Sequence, residues 1–125
     1  MNTRTIKLIL QIAVFGTFVG HGTFAFLVKP QWIVFLTTVG IPLDMVQTVM
    51  KTIGIIDWFV ALITLVRPVK AVLIYATIWA FAAALMRPLS GGEWLDFVER
   101  ASNFLAPAAL YFVAFGSDRK KDNPK

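Results

Sequence analysis

The sequence predicts an all-α integral membrane protein, an antiparallel four-transmembrane-helix bundle with a short interfacial or re-entrant helix between spans 1 and 2. Three observations predict it. Hydrophobic residues fill 58% of the 125 positions and charged residues only 15%, against roughly 45–50% and 25% in a soluble domain. The apolar residues stand in long blocks. Most of the 12 Lys and Arg residues flank those blocks, the placement that orients membrane helices. The net charge of +5 therefore reads as topology, and nucleic acid is not an expected partner.

The first span is Leu8–Val28, free of Asp, Glu, Lys and Arg and long enough to cross a ~30 Å hydrocarbon layer. Arg4 and Lys7 precede it and Lys29-Pro30 closes it. A signal peptide starts similarly, but this apolar run is longer than an h-region, and Thr23-Phe24-Ala25 is a weak cleavage triplet. A retained span is expected. Gln31–Pro42 is apolar but too short to cross, with Trp32 suited to the headgroup layer and Gly40 followed by Pro42 as a helix stop.

Asp44 with Gln47 three residues on resembles a capping box, so a second span is expected to start there and run to Arg67-Pro68. The third span, Ala71–Met86, stops at Arg87-Pro88, with Lys70 and Arg87 snorkelling to the two interfaces. Ser90 and Glu93 form another capping-box spacing, opening one fourth helix from Gly92 to Phe115. Residues 1–116 read as one four-helix membrane domain. Residues 117–125, with Arg119, Lys120, Lys121 and Lys125, read as a basic disordered cytoplasmic tail. No inverted internal repeat is visible.

Orientation follows from the cations. With both termini cytoplasmic, Arg4, Lys7, Arg67, Lys70 and the four tail cations lie inside, against Lys29, Lys51, Arg87 and Arg100 outside. That excess favours cytoplasmic N and C termini, and the bacterial inner membrane is the expected location.

Composition also removes chemistry. The chain has no cysteine, which excludes thiol catalysis, disulfides and thiolate metal sites. One histidine, His21, cannot supply a bis-histidine haem or the usual zinc set. No metal site and no catalytic residue is expected.

Five residues are candidates for an intramembrane polar cluster: His21, Asp57, Glu99, Arg100 and Asn103. Asp96, Arg100 and Asn103 recur at helical spacing, so they share a face if the fourth helix is continuous, with Asp96 and Arg100 as an i,i+4 pair. Pro107 has no N–H for the Asn103 carbonyl and frees an acceptor beside that stripe. The plainer reading is an outer turn that protrudes into water. His21 lies about 20 Å into its span at 1.5 Å per residue, at a depth comparable to Glu99. It suits a proton carrier or a donor to a carbonyl such as a quinone oxygen; the alternative is a structural histidine bonded to a backbone carbonyl or Thr17. A central carboxylate costs about 2.5–3.5 kcal/mol on the insertion scale, so Asp57 is expected to face the interior. Gly16 and Gly20 form a GxxxG pair, read first as packing within the bundle and second as a homo-oligomer seam.

Several short motifs resemble the DoxX-like family: His21-Gly22 with Phe26 and Lys29, the run ending Gly40-Ile41-Pro42, an acidic residue in the second span, and Phe97-Val98-Glu99-Arg100-Ala101-Ser102-Asn103-Phe104. The resemblance covers residues 5–115. This chain carries Asp57-Trp58-Phe59 where relatives commonly have a glutamate followed by glycines. The resemblance implies a small four-helix membrane subunit of a larger complex, redox- or quinone-associated and not catalytic alone. It also implies a larger membrane protein or oxidoreductase as partner, besides the surrounding lipids. Quinone or lipid is the candidate ligand, and no covalently bound cofactor is expected. The alternatives are an assembly or stability factor for other membrane proteins, and a small proton or solute pathway.

Overall fold

Each long apolar block becomes a helix, and most helix ends lie where the chain supplies a proline or a residue in the left-handed region. The computed structural model describes residues 2–122, with side chains through Gly116. Its elements are α1 (Thr3–Phe26), a 3₁₀ turn (Pro30–Trp32), α2 (Ile33–Thr38), α3 (Leu43–Val66), α4 (Lys70–Leu89), α5 (Trp94–Glu99) and α6 (Ala101–Asp122). Among the described residues there is no strand. The helices α1, α3 and α4 are long and apolar enough to cross a membrane. α6 continues to Asp122, past Ser117, where the sequence reading starts a disordered tail; residues 123–125 of that tail lie outside the described residues.

Three of the helix ends share one device. Val28 N–H bonds the Ala25 carbonyl and Lys29 N–H the Phe24 carbonyl. The same crossed pair recurs at Gly40 and Ile41 after α2, and at Gly91 and Gly92 after α4. These are Schellman ends, in which a left-handed residue turns the chain and satisfies carbonyls the helix leaves open. Gly40 (φ 96°) and Gly91 (φ 106°) suit the position, whereas Val28 (φ 55°) adopts it despite its branched Cβ, a strained choice.

The two capping boxes are not formed. α3 starts after Pro42 and α5 after Glu93, neither with a side-chain cap. Ser90 instead closes α4, its hydroxyl donating to the Met86 and Arg87 carbonyls. α4 also runs through Arg87-Pro88 rather than stopping there. Pro88 lies in the last turn, where the missing N–H leaves only the Ala84 carbonyl without its helical donor.

The four long helices alternate in direction. Gln11 meets Thr64 while Gly22 meets Gly54, so α1 and α3 are antiparallel. Phe81 meets Phe104 while Lys70 lies over Phe115, so α4 and α6 are antiparallel. Buried residues recur at three and four in each helix: Gln11, Val14, Phe18, Gly22 and Ala25 on α1; Leu73, Ala76, Ala80, Ala84 and Arg87 on α4. One stripe per helix faces the centre. The dry core of Val14, Phe18, Ala61, Leu73, Ala76 and Leu110 sits toward the α3–α4 turn.

The exterior is apolar. Leu8, Ile12, Phe59, Leu62, Ile78, Leu105 and Phe112 are all more than half exposed. So much contiguous apolar surface is unstable in water and is compatible with a lipid environment.

Candidate functional site

At the end of the bundle away from that core, α1, α3 and α4 enclose a cavity of about 240 Å³ that α2 and its 3₁₀ turn cover. α1 packs along the whole of α3, whereas α3 and α4 make little contact with each other. The gap between them is the cavity. Its walls are mostly apolar, from Ala25, Leu36, Val39, Met50, Ile53 and Met86, with aromatic faces from Trp32, Phe35 and Trp79. Three ionisable residues reach it: His21, Asp57 and Arg87.

Asp57 is set by a close approach of α1 and α3. The added Cβ of an alanine at Gly54 would lie 2.5 Å from the Gly22 carbonyl oxygen, and one at Gly22 would lie 2.8 Å from the Gly54 carbonyl oxygen. Two backbones touch because neither residue has a side chain. Asp57, three residues after Gly54, is thereby drawn against α1, 2% exposed. Its Oδ1 has no hydrogen-bond partner. The insertion cost that placed Asp57 inside the bundle agrees with this burial; it carries no paired charge.

His21 packs its ring on Trp32, with centroids 5.3 Å apart and planes tilted by 38°. Arg87, Arg100 and Lys29 are near enough for their charges to bear on it. Its neighbour is thus an aromatic face from the covering segment rather than Thr17.

Arg87 is where sequence and structure differ most. Read as a snorkelling cation at the outer end of the third span, it is instead buried, 7% exposed. Its Nη1 donates to the Ala83 carbonyl at 2.7 Å. Its guanidinium lies over Phe35 at 4.9 Å and Trp32 at 5.6 Å, both favourable cation–π distances. A signal for it existed: Ala80, Ala84 and Arg87 continue the stripe of small core residues, so Arg87 falls on the inward face.

Glu99, Arg100 and Asn103 lie elsewhere. The expected continuous fourth helix is interrupted at Arg100 (φ −98°, ψ 14°), which caps α5 and changes the direction of the chain before α6. The single face through Asp96, Arg100 and Asn103 is therefore broken. Arg100 pairs with Glu99 (3.2 Å) rather than with the Asp96 carboxylate, and it also donates to the Asp96 backbone carbonyl at 3.4 Å. Glu99 is exposed and Asn103 half-buried at the start of α6. Neither lines the cavity. A T-shaped and tilted cluster of Phe81, Phe97 and Phe104 holds this corner on α4 instead.

Gly16 and Gly20 also differ from expectation. A Cβ at either meets nothing within 4 Å, so the GxxxG pair is not the packing contact inside the bundle. Gly22 and Gly54 take that role. Trp32, Phe35, Trp79 and Arg87 are the cavity residues that motif reasoning did not mark.

Among the described residues, no group of His, Asp and Glu could hold a metal ion. What the cavity offers is an apolar slot with hydrogen-bonding groups at both ends. In comparisons with known proteins, the chain matches no family model, no curated protein and no solved structure.

Proposed function

We propose that this chain is a small integral membrane subunit, DoxX-like in architecture, that works within a larger membrane complex and is not catalytic alone. In this reading all four long helices cross the bacterial inner membrane, α2 lies at the interface, and both termini are cytoplasmic. The cavity under α2 holds a small membrane-soluble ligand, a quinone or a lipid. The observation that carries the reading is this cavity. A buried carboxyl without a partner and a buried guanidinium line an otherwise apolar space, and such polar groups are retained in a membrane interior mainly where they serve a function.

Complex membership is tested by mass. Solubilised gently from native membranes, the chain is expected to run with a partner, well above its own 13.9 kDa plus detergent. Lipid extraction of that particle should release a bound small molecule, in smaller amount from an Asp57→Leu particle. Recovery of the bare monomer, empty of ligand, would reject the proposal.

Topology has its own test, helped by the absence of native cysteine. Single cysteines at Thr3 and Val69 should resist an impermeant maleimide in intact cells, and one at Gln31 should react. All three are exposed positions at helix ends. The opposite labelling pattern would invert the orientation, and labelling of both Thr3 and Gln31 would break the span between them.

A further inference from the structure

The polar groups of the cavity narrow the ligand further than its apolar walls do. Arg87 has five N–H donors, of which one is used, on Ala83. Among the described residues no carboxylate forms an ion pair with it; Asp96 acts on it only at longer range, and Arg100 repels it. A buried cation that lacks a counter-charge is an acceptor-seeking group, and a carboxylate matches its planar fork best. The second observation is independent. Asp57, 2% exposed, lines the same cavity, and its buried Oδ1 has no partner, so the carboxyl lacks a donor.

The two lie apart along the bundle. α3 and α4 are joined by a short turn, which sets Trp79 at the level of Asp57. Arg87 is two turns further along α4, about 12 Å of rise at 1.5 Å per residue. Size gives the third limit. An apolar cavity of 150 Å³ holds benzene, so 240 Å³ takes about ten non-hydrogen atoms by the same scale. A two-chain phospholipid does not fit.

We infer that the cavity binds a medium-chain apolar acid with a hydroxyl at its far end, its carboxylate on Arg87 beside His21 and its hydroxyl on Asp57. This rests on the reading of the cavity as a ligand site and chooses the lipid-derived class over the quinone. The chain of such a ligand lies against Trp79, Met50 and Ile53, and α2 covers its acid end.

The test is binding to the full chain in lipid nanodiscs, followed by tryptophan fluorescence, since Trp32 and Trp79 line the site. The probes are octanoate, 8-hydroxyoctanoate, methyl octanoate and a dimethyl-benzoquinone, all close to the size that the cavity takes. Octanoate should bind at least about tenfold more tightly than its methyl ester, the value of one charge-assisted contact. The terminal hydroxyl should add a further gain of roughly threefold or more. Arg87→Gln should abolish the preference for acid over ester, while Arg87→Lys, which keeps a cation, should retain part of it. Asp57→Leu should remove the gain from the hydroxyl and leave the acid preference intact. Equal binding of acid and ester, or an acid preference unchanged in Arg87→Gln, would overturn the inference. Tight binding of the quinone with none of the acids would overturn it too, but would leave the cavity as a ligand site. If no probe and no extracted molecule binds, both readings fall.

Discussion

Replacing Gly54 by alanine is expected to be the most damaging single-methyl change in the protein. The new Cβ would lie 2.5 Å from the Gly22 carbonyl oxygen and 2.8 Å from the Phe26 nitrogen. Both are backbone atoms of α1, so no side chain can rotate away. Relief requires α1 and α3 to separate, which loosens contacts along the most extensive helix pair in the fold. Overpacking a tight core costs about 1–3 kcal/mol and occasionally more, and here the upper end is expected. Gly16→Ala and Gly20→Ala are the controls. With nothing within 4 Å of either added methyl, each should be neutral or stabilising by about 0.5–1 kcal/mol, the helix gain of alanine over glycine. Unfolding midpoints in a fixed detergent would give the ranking. A Gly54→Ala variant as stable as Gly16→Ala would mean that the two backbones do not touch. Because Asp57 is held by the same crossing, Gly54→Ala should also weaken any ligand that the cavity binds.

This contrast shows what the sequence could and could not disclose. A GxxxG pair is visible because its two glycines are neighbours on one helix, but the spacing does not say which surface they face. Gly22 and Gly54 form a working contact across two helices, and no local spacing relates them. Helix limits were legible for the opposite reason. Gly40 with Pro42, Arg67-Pro68 and Gly91-Gly92 act locally, and the helices end within a few residues of them. The burial of Asp57 was legible from the cost of a central charge. The break at Arg100 was not, since neither glycine nor proline marks it; tertiary packing of Phe97 and Phe104 on Phe81 holds the corner. Arg87 was misplaced because its position near a span end suggested snorkelling, whereas its side chain turns inward to the Ala83 carbonyl and two aromatic faces. Thus two members of the expected polar cluster, His21 and Asp57, meet in the cavity. Glu99 and Asn103 stay outside because the helix that would have aligned them bends.

Gln11 is expected to matter nearly as much as Gly54, for a reason that starts at Pro68. Proline has no N–H for the Thr64 carbonyl, and it drives the preceding residue out of the helical region. Arg67 is accordingly extended (φ −159°, ψ 107°), ending α3. The carbonyls of Thr64 and Leu65 are left without helical donors in the last turn of α3. Gln11, 9% exposed on α1, answers both, its Nε2 donating at 3.0 and 3.1 Å. One side chain thus caps α3 and joins it to α1. Gln11→Leu keeps the volume and removes both donors. A buried unsatisfied acceptor costs about 1–3 kcal/mol; the Thr64 carbonyl is buried and the Leu65 carbonyl part-buried, so a total loss of roughly 1–4 kcal/mol is expected. Thr64→Val gives the opposite case. The Thr64 hydroxyl is fully buried and has no partner, and replacing it by a methyl of the same shape should be neutral or mildly stabilising. Reversible denaturation in mixed detergent micelles measures both changes. Should Gln11→Leu prove as stable as the parent, water or lipid headgroups must reach those carbonyls, and this end of the bundle would lie nearer the membrane surface than the dry core beside it implies.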